Sequence, residues 1–396
     1  MKKFQFVLAA LLLVGMLVSG CGGGEVECTD EWGCAQIAKG QTVKIAYVGP
    51  MTGDYSAFGI DMSRGSEIAV QNKPEIKGFK VELLKEDTQG SPEQGAAVAN
   101  KLAADPQVVA ISGHTFSGST EAAIPIYEKA GIVMVSASAT NPPLTKLGSQ
   151  VFNRVCFTDD MQADFASKYV FNALGKKSVA VMHDGGAYGK GLADMFAEDI
   201  TKLGGSVVAS EAITPGETDY SAPLAAIAAK KPELIYYGGY SAEAAVLVNQ
   251  LAGAGMAGIP LFGCDGTYGE DYLSLTGKNS EGSYSTNVPI PASDAFTTFR
   301  TTYQSQFGDE QGKLSPFSPH SHDSTAVLLA AIDKVAKVQG GTLVIPRKAL
   351  AAEVRATKGF QGLTGTLTCS STGECAAPSV VFMVVQDGKW VEGPGQ

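Results

Sequence analysis

Residues 108–143, VVAISGHTFSGSTEAAIPIYEKAGIVMVSASATNPP, contain two apolar runs that each end in small hydroxylated residues. Ile111 leads into Ser112, Gly113, His114, Thr115, Phe116, Ser117, Gly118, Ser119 and Thr120, and Val135 leads into Ser136, Ala137, Ser138, Ala139 and Thr140. Read as strands of a parallel sheet, both runs put their hydroxyl clusters at carboxyl ends, the edge where open α/β sheets bind ligands. Residues 117–120 also open a helix, whose free N–H groups favour an anion such as a carboxylate. Turn and N-cap chemistry accounts for either cluster alone. Two together predict a polar, uncharged pocket.

The same rhythm extends outward. Short β-branched runs at 43–48, 79–84, 179–183, 206–210, 234–237 and 259–262 alternate with alanine-rich helical patterns, the signature of βαβ units. Ala244, Leu247, Val248 and Leu251 form one core stripe, with Ser241 as the expected N-cap, and Leu328, Ala331, Ile332 and Val335 form another within a helix expected over 323–338. The rhythm breaks at 149–160 and at 282–293, which read as crossings between two sheets, and 362–368 reads as a third before a final hairpin. The fold class is therefore α/β, two doubly wound parallel-sheet lobes joined by three hinge crossings. The boundaries fall at 42–156 plus 286–362 for the first lobe and 157–285 plus 363–396 for the second. A cleft between two such lobes is a natural ligand site.

The first 20 residues read as a lipoprotein signal: Lys2 and Lys3, an apolar run from Phe4 to Val18, then Ser19-Gly20-Cys21. Small residues precede a cysteine that would take the lipid and become the mature N-terminus, leaving 21–41 as an anchor linker. The apolar run is shorter than the ~20 residues needed to span a bilayer. The 396-residue chain has 30 basic and 40 acidic residues, a net charge of −10, or −12 without the two leader lysines. That balance argues against nucleic acid as a partner. Of the six cysteines after Cys21, Cys28 with Cys34 and Cys369 with Cys375 are spaced for local disulfides, as an exported protein allows. Cys156 and Cys264 are left open as free or paired.

Neither a P-loop, a GxGxxG turn after the first strand nor a GxSxG elbow is spelled, so Ser117 has no evident activating partner. The string His320-Ser321-His322-Asp323, with His114 and His183 elsewhere, raises a metal site, but polar residues are also common where a helix begins. The reading adopted has no metal, no cofactor and no catalytic residue. Aromatic residues carry more: Phe58, Tyr188 and Tyr240 each follow a different strand end, as walls around an apolar ligand body would. Asp265 follows the strand at 259–262 and either pairs an ammonium or caps a turn through Gly266.

The strings VKIAYVGPMTGDYSAFG, AVANKL, GHTFSGST, ASATNPPLT, VMHDGGAYGKGLA, TDYSAPLAAI, LIYYGGY and FGCDG resemble the type I solute-binding proteins of ABC importers, in particular the leucine/isoleucine/valine-binding family, over nearly the whole mature chain. The resemblance implies a lipid-anchored extracytoplasmic receptor that closes on an aliphatic amino acid and hands it to a membrane permease, with no chemistry performed. It implies that Ser117 and Thr140 donate hydroxyls to the ligand carboxylate, that Ser138 offers its backbone carbonyl to the ammonium, that Asp265 is the acidic partner, and that Phe58, Tyr188 and Tyr240 surround the side chain. Asp265 departs from the longer Glu of that family, and His322 stands where an aromatic usually begins the helix. A receptor for an amide, urea or aromatic acid is the nearest alternative, and a surface metallohydrolase a more distant one.

Overall fold

The computed structural model describes residues 27–376 and 379–394; the leader and Cys21 lie outside these residues. The first sheet has six strands in the spatial order Glu75–Ile76, Phe79–Asp87, Val43–Gly49, Val108–Gly113, Val133–Ser136, Phe152–Arg154, all parallel except the first pair. Val43–Gly49, the first strand of the winding, lies between the later strands Phe79–Asp87 and Val108–Gly113, so the strand order reverses beside Val108–Gly113. Such a reversal splays the flanking loops and opens a crevice. The second sheet repeats the plan: Ser206–Ala212, Ser178–His183, Leu234–Gly238, Leu261–Phe262 and Tyr284–Asn287 run parallel, followed by the antiparallel hairpin Val381–Gln386 and Lys389–Glu392. Its own reversal lies between Ser178–His183 and Leu234–Gly238.

The chain leaves the first sheet after Arg154 and enters the second at Ser178. It returns after Asn287 to place helix Ser318–Val335 on the first, and passes over again between Thr366–Leu367 and Val381–Gln386. Helix Ser318–Val335 packs against Ser56–Asn72, where a Cβ on Gly65 would sit 2.1 Å from the Ser318 carbonyl oxygen. Behind that close approach lies a buried hydroxyl cluster: Ser112 to Ser324 at 2.6 Å, Ser66 to Ser321 at 2.8 Å, and Thr325 to both Ser66 and Ser112 at 2.9 Å. Small polar residues let the helices and sheet approach, and mutual bonds meet the cost of burying them.

The strands begin and end within a few residues of the expected runs. Four local readings change. The crossing expected at 362–368 comes later: Phe360–Gln361 pairs with Thr366–Leu367, and the chain stays with the first lobe through Cys375, so the 362/363 boundary between the lobes moves beyond that residue. Helix Ser318–Val335 starts five residues before the expected 323 and ends before 338, because Lys337–Gln339 and Thr342–Pro346 form a hairpin through Gly340-Gly341. The stretch expected as linker contributes strand Cys34–Ile37, which pairs antiparallel with Thr342–Pro346 and buries Ala35 and Ile37. Ser241 is the first helical residue rather than the cap, and its hydroxyl donates to Asp271. The disulfides Cys28–Cys34 and Cys369–Cys375 are both present, and Cys156 and Cys264 are free and buried.

Candidate functional site

The first lobe's wall comes from three loop–helix junctions. The loop after Val43–Gly49 is held by Asp87, whose carboxylate accepts from the Met51 N–H at 2.8 Å and the Thr52 hydroxyl at 2.5 Å, and it delivers buried Phe58 on helix Ser56–Asn72. Phe116 and Ser117 come from the start of helix Ser117–Ala130, the predicted anion-favouring turn. Phe317 precedes helix Ser318–Val335. Ser138 follows Val133–Ser136, and its hydroxyl donates to the Thr115 carbonyl at 2.7 Å. The Ser117 hydroxyl accepts from the Asn141 N–H at 3.3 Å. The two hydroxyl clusters read from the sequence are thus stitched together.

The second lobe's wall comes from equivalent junctions around the other reversal. Tyr188 lies in the first turn of helix Ala187–Lys202, Tyr240 precedes Ser241–Leu251, and Asp265 opens the single turn Asp265–Thr267 after strand Leu261–Phe262. One oxygen of Asp265 accepts from the Tyr188 hydroxyl at 2.6 Å and from Gln162 Nε2 at 2.5 Å. Tyr188 also accepts from the Gly266 N–H at 3.2 Å. A Cβ on Gly266 would meet the Gly239 carbonyl at 2.5 Å and the rings of Tyr188 and Tyr240 at 3.0 and 3.1 Å, so only glycine lets both aromatic walls close around this turn.

These two walls meet. Tyr240 stacks on Phe116 with centroids 4.3 Å apart and also contacts Phe58, Tyr55 and Tyr188. Phe58, Ser117, Ser138, Tyr188, Tyr240 and Asp265, six of the predicted residues, line one narrow cavity, together with Phe116, Gly266 and Phe317. Thr140 sits just behind: its hydroxyl is buried beside the Asp159 carboxylate, and its carbonyl accepts from the Asp159 N–H at 3.1 Å. The cavity is aromatic with a few polar groups, the usual build of a small-molecule site.

Charge is confined to one side. Burial pushes the Asp265 carboxyl above the usual range, although the Tyr188 and Gln162 bonds pull it back. Asp159, at the start of helix Asp159–Lys168, is buried with neither oxygen in hydrogen-bond geometry, and Gln162 Oε1 is equally unpartnered. Burial and the charge of Asp265 push the Asp159 carboxyl well up, while Thr140 and Arg154 act in the opposite direction. Two buried acids this close, one raising the proton affinity of the other, make a place that favours a cation. Asp159 falls in the stretch read as a crossing, 149–160, and Gln162 just after it, so neither stands out in the sequence; the spacing Asp-x-x-Gln at a helix start is the available sign.

The histidines do not converge. His114 pairs with the Tyr127 hydroxyl, His183 accepts from the Gly185 N–H, His320 lies edge-on to Phe317, and His322 meets Asn72 and Asp323. Among the described residues no group of three or more His, Cys, Asp or Glu could hold a metal ion. His322 does not reach the cavity wall expected of it; Phe317 does.

The Periplasmic binding protein family matches residues 42–389. The chain belongs to that family. It is 34% identical to Leu/Ile/Val-binding protein homolog 3 of Brucella melitensis over 355 residues, which is 88% of this chain and 93% of the relative. Its fold superposes on the leucine-binding protein LivK of Thermotoga maritima with a TM-score of 0.80 at 30% identity, covering 89% of this chain and 98% of that one. The LivJ protein of Streptococcus pneumoniae, solved with isoleucine, gives 0.77 at 26% identity over 89% and 100%. The protein is a type I solute-binding protein, and its relatives are binding proteins rather than enzymes.

Proposed function

We propose that this binding protein captures an aliphatic L-amino acid in its cleft and delivers it to the permease of an ABC importer. The single observation that carries the reading is the polarity of the cavity. Neutral hydroxyls and a helix N-terminus at Ser117 suit a carboxylate, Asp265 opposite them suits an ammonium, and Phe58, Phe116, Tyr240 and Phe317 enclose an apolar side chain. No nucleophile–base pair is required. The names of the relatives point the same way.

Two finer parts belong to this reading. The lobes close about their crossings on the ligand, because a site split between lobes gains all its contacts only when closed. The chain acts outside the cytoplasm, tethered by lipid on Cys21; no helix among the described residues is long and apolar enough to cross a membrane. Mass spectrometry of protein purified without denaturation, followed by calorimetry with L-leucine and L-isoleucine, tests the ligand. Recovery of a urea, amide or aromatic acid, with no heat from either amino acid, would replace this reading with the alternative receptor.

A further inference from the structure

The loop carrying Ser138 and Thr140 is held from behind by an arginine that is not part of the cavity lining. Arg154, at the end of the first sheet's last strand, is fully buried. Its Nη1 donates to the carbonyls of Ala139 at 2.9 Å and Asn141 at 2.8 Å, the residues on either side of Thr140. Its other edge is a fork on Glu374, Nε to one oxygen at 2.7 Å and Nη2 to the other at 2.5 Å. Thr145 joins them by donating to Glu374 at 2.6 Å.

Glu374 belongs to the loop closed by Cys369–Cys375. The loop adds itself to the sheet edge: the Arg154 N–H donates to the Gly373 carbonyl and the Cys375 N–H to the Arg154 carbonyl, each at 2.9 Å. Within it, Ser370 and Glu374 exchange bonds, the Ser370 N–H to the Glu374 carbonyl at 2.7 Å and the Glu374 N–H to the Ser370 hydroxyl at 3.1 Å. Arg355 holds its outer turn through the Ser371 carbonyl at 2.8 Å. A buried guanidinium needs a carboxylate of fixed position, and a planar bidentate pair transmits that position as direction as well as charge.

We propose that the disulfide-closed loop 369–375 is a positioning element for ligand binding, in which Glu374 orients Arg154 and Arg154 fixes the carbonyls that frame Thr140. Ligand affinity then depends on a loop that never meets the ligand. The disulfide serves the site as well as stability, and its reduction loosens the binding loop. This rests on the amino-acid reading for its affinity arm only.

The test compares wild type, Glu374→Gln and Glu374→Asp. In ligand-free protein, amide exchange in residues 138–141 should accelerate roughly tenfold or more in Glu374→Gln, since a forked buried pair has lost its charge, while the second sheet's strands stay unchanged. L-leucine dissociation should accelerate by a similar factor, and Glu374→Asp should recover part of both. Reducing Cys369–Cys375 in a Cys28→Ser/Cys34→Ser background supplies the same comparison if Glu374→Gln does not fold. Unchanged exchange at 138–141, or a uniform rise across the fold, overturns the proposal. If wild type binds no amino acid, the functional reading fails and the exchange comparison still decides this one.

Discussion

The two faces of the cleft are built from the same strand–loop–helix junctions and carry opposite electrostatics. On the first lobe, Ser117 and Ser138 are neutral and already engaged with neighbouring backbone. On the second, Asp265 and Asp159 are buried acids with raised proton affinity. Hydroxyls cost little to bury when bonded; a carboxylate out of water costs far more until a cation meets it. The first lobe is prepared in advance, whereas the second holds buried acids whose burial cost a cation or a proton would relieve.

Removing the stored charge should give the largest effect. Asp265→Asn leaves a ligand ammonium without its counter-ion; breaking a buried hydrogen-bonded charge pair costs about 2–5 kcal/mol, a loss of roughly 30-fold or more in affinity for L-leucine. The ligand-free protein should become more stable. Burial raises the folded-state pKa of Asp265, so its ionised form opposes folding; this penalty is absent below the unfolded pKa and develops as pH rises through the folded one. For the same reason leucine should bind wild type more weakly as pH falls, since protons compete with the ammonium. Calorimetry and thermal melts from acid to neutral pH check all three. Unchanged affinity in Asp265→Asn would reduce Asp265 to a turn residue.

Ser117→Ala probes the prepared face. A hydrogen bond to a charged group is worth about 1.5–3 kcal/mol, so leucine affinity should fall roughly tenfold or more, with a lower melting temperature as well, since the buried Asn141 N–H loses its partner. A drop for leucine alongside unaltered binding of an uncharged amide would place the ligand carboxylate here. Equal losses for both would move it elsewhere.

The contrast between faces also explains what could be read from the chain. The neutral face lies in two contiguous strings, 112–120 and 136–140, because consecutive residues at a strand end share one loop; Ser117, Ser138 and Thr140 were visible for that reason. The acidic face is assembled across sequence: Asp265 meets Gln162, 103 residues away, and Asp159 lies beside both only because helix Asp159–Lys168 begins where the chain crosses between sheets. Periodicity does not encode such meetings. Phe317 was missed because its helix begins five residues before the expected start, and Arg154 because NRVC read as a crossing rather than as the anchor of a binding loop.

Tyr240→Ala tests the seam between the faces. The ring stacks on Phe116 and contacts Phe58 and Tyr188. Aromatic pairs contribute about 0.5–1.5 kcal/mol each beyond area burial, so leucine affinity should fall roughly tenfold by calorimetry, while the second sheet keeps its fold by circular dichroism. An unaltered affinity would mean that Phe58, Phe116 and Phe317 enclose the side chain without help from the second lobe.

The smallest effect is expected from Tyr55→Phe. Tyr55 stands on the loop before helix Ser56–Asn72, and its hydroxyl donates to Glu243 on helix Ser241–Leu251 of the other lobe at 2.9 Å. Glu243 also accepts from the Gly216 N–H at 3.2 Å, so the carboxylate keeps a partner when the phenol is lost. The ring remains to pack on Phe116 and Tyr240, 5.7 and 5.1 Å away. Only one hydrogen bond joining the lobes is removed, worth about 0.5–1.5 kcal/mol net. If the bond exists only when the lobes meet, the closed state alone is destabilised: leucine should dissociate a few-fold faster, with an unchanged association rate and an unchanged melting temperature without ligand. Stopped-flow displacement measures this directly. A dissociation rate equal to wild type would show that the Tyr55–Glu243 bond does not distinguish closed lobes from open ones, and would leave the aromatic seam to hold the two faces together.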